Sequence, residues 1–483
     1  MTAFIAIFTF PLLVAASSLL VRDLRLIRSI AGIGGLAHAS AAIWVGIDVW
    51  RMGGHGPGIG WFSLDGLGCW ILAVNGLVYA AAMGNAALLW NAPGDIHLSE
   101  RGVRVLFGCG SLFILAGNAV VTASDLGALW ISMEATTLVT APLVLAHGAK
   151  SSIEAAWKYL ILCGVGIAFA LLGTVLLLAS SAGSAPSDQG LNIAWLTSHA
   201  MSLRRPLIDT SFVFLLLGYG TKAGLFPVHN WLPDAHSESP APASALLSGA
   251  LLNCAMVALW RISDIVSRTG AHRAVTGLLA PMGALSVLAA GVMLIRQRDL
   301  KRMWAYSSIE NMGLMAVAAG LQLAPVFALH ALAHSLGKAS AFLLSGNVVK
   351  QFGTASLAKL GGIMRRSPAT GFALLAAGAA VMGAPPFGSF ASEWILVSKT
   401  SMQSQWAIVI VVIAGITISF VAVLTHLGRI VFGEKQPELE VKVSPLALVP
   451  SAVLLLLSAC LFFVVSPAAY EALDKLLNHG GHR

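Results

Sequence analysis

A chain of 483 residues that is 57% hydrophobic and only 10% charged lies far from a soluble globular protein, in which about a quarter of residues are charged. Its recurring apolar runs of about 20 residues each suffice to cross a ~30 Å hydrocarbon core, and the alternating pattern of a membrane β-barrel is absent. The net charge of +8 sits mostly in connecting loops, where membrane topology accounts for it without nucleic acid.

These features predict an all-α polytopic membrane protein of about fourteen spans. The first segment lacks the basic start and small-residue cleavage site of a signal peptide, so it reads as a retained helix. In chain order the spans are 2–20, 27–49, 67–90, 103–121, 126–147, 154–180, 210–228, 240–262, 275–295, 303–321, 324–348, 370–398, 405–431 and 446–466. A Ser/Gly/Pro-rich connection near 181–206 separates the sixth from the seventh. The tail after Pro467 reads as a short surface segment whose His479 and His482 are not expected to bind metal. The five cysteines are scattered singly, with no CxxC or Cys/His ligand spacing. There is no P-loop and no GxGxxG after a strand, so no cofactor or metal is expected.

With the N-terminus outside, the inner loops hold 17 Lys and Arg residues and the outer loops 9. Lys435 and Lys442 are counted inside, Arg483 outside. Positive-inside bias then places both termini on the periplasmic side of a bacterial inner membrane.

Against this apolar background stand Glu134, Glu154, Lys158, Lys222, Glu310, His334, Lys338 and Glu393, with His330 at the edge of the set. Charges inside a bilayer are costly and usually mark ion or proton pathways. The alternative is a set of buried ion pairs that fix helix registers. Glu134 and Glu310 are 176 residues apart, Lys158 and Lys338 180, and Lys222 and Glu393 171. Such an offset spans about five helices, so the second unit would be inverted relative to the first, a common transporter plan. Gly224 and Pro227 follow Lys222, and Gly383, Pro385, Pro386 and Gly388 precede Glu393. Broken helices are therefore expected at both places.

The stretch GYGTKAGLFPVHNWLPDAHSESPAPASALLSGALLN, from Gly218 to Asn253, resembles the antiporter-like proton-pumping subunits of respiratory complex I, Mrp antiporters and membrane-bound nickel–iron hydrogenases. RDLKRMWAYSSIENMG (Arg298 to Gly313) and HALAHSLGKASAFLLSG (His330 to Gly346) follow in the same order, and the resemblance covers at least residues 103–432. WISMEATTLVTAPLV, EAAWKYLILCGVGIA and the Glu of AYSSIEN are similar to the hydrogenase-4 component F branch, which includes subunits of formate hydrogenlyase-type complexes. The implied organisation is N-terminal helices in 1–102, a first repeat in 103–262, a second in 263–432, and a last helix and tail in 433–483.

The resemblance implies that Glu134 and Lys222 form the first half-channel. A nearby carboxylate keeps a buried Lys charged, and separating the two lets the proton go. Glu154 and Lys158, spaced i, i+4, share a helix face and can pair. Lys158 would then be a lateral element between the units, while Glu154 is alternatively an interfacial residue favoured by the helix dipole. His330, His334 and Lys338 rise ~12 Å along one stripe, and histidine titrates near neutral pH, which suits a proton relay. In the family these positions carry the central relay. Glu393 matches the exit-side position of the second half-channel, and Glu310 is a partner for Lys338 or His334. His229, Asp234, His236 and Glu238 form either an entry funnel or a structural turn. One departure is Ser248 and Asn253, where large complex I subunits often carry His or Lys linking the half-channels. A wire there would run through these polar groups or ordered water.

The leading expectation is a proton-translocating subunit, without an active site of its own, in a redox-driven complex of hydrogenase or complex I type. Its implied partners are nickel–iron hydrogenase-like and iron–sulfur subunits and further antiporter-like subunits. An Mrp-type cation/proton antiporter subunit, with sodium as a possible cargo, is the second. A complex that uses the proton gradient without redox chemistry and a passive scaffold are the others.

Overall fold

A computed structural model describes residues 1–89, 98–434 and 443–478. Lys435, Lys442, His479, His482 and Arg483 lie outside them. The polar residues between apolar runs act as helix punctuation. Asp23 caps α2 (Leu24–Arg51) by accepting from the Arg25 amide, and Ser99 caps α4 (Glu100–Thr122) through Gly102. Asp125 caps α5 (Leu126–Val144) through Gly127 and Ala128, and Asp299 caps α13 (Leu300–Gly320) through Arg302. Each cap satisfies amides that the first helical turn leaves without partners.

Among the described residues, ten helical stretches are long and apolar enough to cross a membrane. They begin with α1 (Thr2–Leu20), α2, α3 (Gly66–Leu89), α4, α5 and α6 (Lys150–Ser181). One stretch, Ala241–Leu294, is 54 residues long, far beyond the ~20 of a single span. Gly270, at φ 80°, divides it, leaving α10 (Ala241–Leu246) and α11 (Leu252–Val266) before the break and α12 (His272–Leu294) after it. The protein is a multi-pass, helical integral membrane protein.

Three regions differ from the sequence expectation. Residues 55–65 form an antiparallel hairpin, β1 (His55–Ile59) and β2 (Phe62–Asp65), between α2 and α3. The 181–206 connection contains a short helix, α7 (Ile193–Ser198), whose Asn192 cap accepts from Trp195. The tail is an amphipathic helix, α20 (Pro467–Asn478), that buries Leu473 against α14 and α3. All three lie outside the spans read from the sequence, and local pairing and tertiary packing give them order.

The expected breaks are present. α8 (Arg205–Ala223) ends on Gly224 in the left-handed region, φ 72°, and the chain resumes as α9 (Trp231–Glu238). α16 (Pro368–Val381), preceded by the single turn α15 (Ile363–Arg366), ends near Gly383, φ 67°, and resumes as α17 (Gly388–Met402). The same 159-residue offset separates Gly224 from Gly383 and Asp234 from Glu393. Relative to its break, Glu393 therefore stands where Asp234 does, while Lys222 precedes its own break.

Small residues bring neighbouring helices close, as in membrane packing generally. A Cβ on Gly218 would meet the Ala170 amide and Gly166 carbonyl at 2.6 Å, where α8 crosses α6. One on Gly283 would meet the Gly313 carbonyl at 2.6 Å, where α12 crosses α13. The hub is α14 (Ala324–Phe352), which packs against α3, α10, α13, α16, α17 and α19 (Val449–Val464). α18 (Trp406–Phe432) closes the far side against α12 and α17.

Arg261 of α11 is buried and staples the N-terminal helices to the middle of the protein. It donates to the carbonyls of Val120, Val121 and Ala123 at the end of α4, and pairs with Asp65 at 3.0 Å. Arg261→Met would orphan those carbonyls at about 1–3 kcal/mol per lost buried partner. Thermal unfolding of the purified variant is expected at a temperature several degrees lower, with Arg261→Lys intermediate.

Candidate functional site

Lys222 occupies the last turn of α8, at the helix end whose free carbonyls favour a cation. It is fully buried, and its ammonium donates to Thr137 Oγ1 at 2.8 Å and Tyr159 Oη at 2.7 Å. Thr137 in turn donates to Glu134 Oε2 at 3.2 Å, and Tyr159 shares a 2.6 Å hydrogen bond with Thr140. Glu134 and Lys222 are thus joined through a threonine hydroxyl and not by direct contact. Trp231 fixes the broken end: it packs on Tyr159 with centroids 5.0 Å apart and donates to the Thr221 carbonyl at 2.7 Å.

The second cluster surrounds α14, where His330, His334 and Lys338 are all buried. The ladder does not face one channel, because each rung addresses a different neighbour. His330 Nδ1 meets Ser392 Oγ of α17 at 2.9 Å, one residue before Glu393. His334 Nε2 donates to the Ser248 carbonyl at 3.2 Å. Lys338 donates to the Trp304 carbonyl of α13 at 3.1 Å. Glu310, also buried on α13, lies within electrostatic reach of both Lys338 and Glu393. Glu393 presses its carboxylate against Gly383, where a Cβ would come within 2.1 Å of it. A cavity of about 360 Å³ between α17 and α18 opens onto that carboxylate.

Between the clusters, residues Leu247–Leu251 form a π turn joining α10 to α11. Such turns loosen the helical ladder and often mark functional positions. Here the turn offers the Ser248 carbonyl to His334 and the Gly249 carbonyl to Ser335, at 2.7 Å. The Ser248 hydroxyl reaches Ser308 Oγ at 2.9 Å, and Ser308 donates at 3.0 Å to the same Trp304 carbonyl that receives Lys338. Asn253 reaches Ser335 at 2.7 Å. The positions that depart from large complex I subunits therefore carry a hydrogen-bonded run of their own.

The model of the family described as NADH:quinone oxidoreductase/Mrp antiporter, transmembrane, matches residues 123–419. The chain belongs to that family. It is 39% identical over 344 residues to a hydrogenase-4 component F homolog of Methylacidiphilum infernorum, covering 70% of this chain and 72% of that one. It is 33% identical to NADH-quinone oxidoreductase subunit N of Desulforudis audaxviator, covering 70% and 67%. A chain in the structure of the membrane-bound sulfane sulfur reductase, an archaeal respiratory membrane complex, has the same fold. Its TM-score is 0.86 at 23% identity, over 100% of this chain and 98% of that one. This is an antiporter-like membrane subunit of the hydrogenase-4, complex I and Mrp type.

Within this antiporter-like subunit, Lys158 lies on the outer face of α6 and makes the expected pair with Glu154. Its side chain is 47% exposed and pairs with Glu154 at 2.7 Å and Asp234 at 3.2 Å. The adjacent Tyr159 takes the buried face, because successive residues on a helix point about 100° apart. Asp234 also binds Arg302 at 2.5 Å, and Glu238 accepts from Ser151 at 2.8 Å. Asp234 thus belongs to an ion network with Lys158 and Arg302, and Glu238 is held by serine hydroxyls, whereas His229 and His236 are buried. His236 stacks on Phe342, centroids 4.9 Å apart, and neither ring nitrogen has a partner among the described residues. The funnel divides into a structural rim and a buried histidine pair.

Sequence reading missed Tyr159, Thr137, Thr140 and Ser308. A Tyr in an apolar span was the available signal, because a buried phenol normally finds a partner. It also passed over His38, buried in α2, which meets Asn118 of α4 at 2.9 Å and stands edge-on to Tyr79. This contact locks α2 to α3 and α4. Ser248→Ala would remove the hydroxyl joining α10–α11 to Ser308. The expected result is normal assembly with proton translocation lowered about five-fold, the worth of roughly one hydrogen bond, measured in sealed vesicles.

Proposed function

We propose that this subunit translocates protons through Glu134, Lys222, His330, His334, Lys338 and Glu393, within a redox-driven complex of the hydrogenase-4 or complex I type. The supporting observation is the chain of protonatable groups and hydroxyls, all buried except the half-buried Glu134: Glu134–Thr137–Lys222–Tyr159 on one side, and Lys338–Trp304 carbonyl–Ser308–Ser248 on the other. Burying so many polar groups is costly in a membrane, and such groups usually mark ion or proton paths. His236 and His229 are intermediate stations. Glu310 balances Lys338, and Lys158 with Glu154, Asp234 and Glu238 forms a charged rim that would report conformational change between units.

The reading also holds that residues 1–102 form an N-terminal unit, 103–262 and 263–432 two inverted repeats, and 433–483 the closing segment. The setting would be a bacterial inner membrane with both termini periplasmic. Nickel–iron hydrogenase-like and iron–sulfur partners would supply the redox chemistry. Turnover of the assembled complex in sealed vesicles tests the cargo. Proton movement that persists in sodium-free buffer and collapses with a protonophore supports the reading. Strict dependence on sodium overturns it in favour of the Mrp-type alternative.

A further inference from the structure

The connection between α12 and α13, the segment after α14 and the end of α18 enclose a cavity of about 430 Å³. Gln297, Arg298, His426 and Arg429 supply its polar wall, Leu357, Leu360 and Ile430 its apolar wall, and Glu434 lines it as well. Three features make it more than a gap between loops. First, Arg298 stands on fixed backbone: its carbonyl accepts from Leu357 at 2.9 Å, and the Leu300 amide donates to Ala355 at 2.9 Å. Second, His426 donates through Nε2 to the Leu294 carbonyl at 3.1 Å, and Gln297 donates to the Met293 carbonyl at 2.7 Å, so both wall residues are held in place. Third, neither Arg298 nor Arg429 takes part in an ion pair among the described residues. Two guanidinium groups therefore face a cavity that offers one carboxylate.

A guanidinium presents a planar fork of donors that matches phosphate oxygens. Leu357, Leu360 and Ile430 supply apolar surface beside the two guanidinium groups. Basic pockets between membrane helices are suited to anionic head groups. We propose that this cavity binds the phosphodiester head group of an anionic phospholipid, bridging the α12–α13 connection to the end of α18. The site is separate from the buried relay and does not depend on what the relay carries.

The test is native mass spectrometry of the purified complex, delipidated and then titrated with phosphatidylglycerol or phosphatidylcholine. Both arginines are exposed, so the Arg298→Gln/Arg429→Gln variant should assemble, checked by size-exclusion chromatography. The wild type is expected to keep one more phosphatidylglycerol per subunit than this variant, with affinity about ten-fold higher, and phosphatidylcholine is retained equally by both. Arg365→Gln/Arg366→Gln removes the same charge elsewhere and should retain the lipid. Equal phosphatidylglycerol retention by wild type and the cavity variant overturns the proposal. Displacement by inorganic phosphate at matching concentration also overturns it, by assigning the cavity to a soluble phosphate compound.

Discussion

Lys222→Met is expected to lower proton translocation by at least about 100-fold in complexes that still assemble, the scale on which a positioned proton-transfer group contributes. The methionine keeps the length and apolar stem of the side chain but leaves Thr137 and Tyr159 without their shared donor. Lys222→Arg sharpens the result. Arginine keeps a positive charge and hydrogen-bond donors but does not release its proton at accessible pH. A static charge serving only to hold α8 against α5 and α6 would survive that exchange with activity intact. A relay would not. Vesicle acidification measured alongside complex yield separates the two, and near-normal pumping by Lys222→Arg would sink the relay role.

The second large effect is expected at Lys338. Lys338→Met should also abolish translocation, but with poorer assembly, because it leaves Glu310 as a buried carboxylate without its counter-charge. Adding Glu310→Gln should restore assembly, since both members of the pair are then neutral. The double variant should remain inactive. If activity returned together with assembly, Lys338 and Glu310 would be a structural pair and the second half-channel would need other residues. The coupling between the two substitutions, read from the double-mutant cycle on yield, should be favourable by about 1–3 kcal/mol.

These residues were legible in the sequence because a charge in an apolar span stands out. Hydroxyls do not: Thr137, Tyr159 and Ser308 lie in spans where Ser, Thr and Tyr are common enough to pass as packing. The carbonyl of Trp304 has no side-chain mark at all, yet it receives both Lys338 and Ser308. The pairing of Lys158 with Glu154 was legible from their i, i+4 spacing, whereas the inward position of the adjacent Tyr159 was not. The breaks at Gly224 and Gly383 were visible as Gly and Pro clusters. The left-handed turn of both glycines, which ends each helix, required the backbone. The π turn at Leu247–Leu251 was invisible, since SALLSGALLN reads as ordinary helix.

The burial of α14 bears on how the protein is made. It carries His330, His334 and Lys338 and is the most enclosed of the ten candidate spans, and its mean hydropathy is the lowest among them. Facing lipid alone, those side chains would each resist entry into the bilayer. During synthesis α14 emerges after α3, α10 and α13 but before α16, α17 and α19. A chain stopped just after residue 352 would therefore hold its most polar span half-surrounded. Insertion of α14 is therefore expected to be eased by α3, α10 and α13 already in place and completed when α16, α17 and α19 close around it.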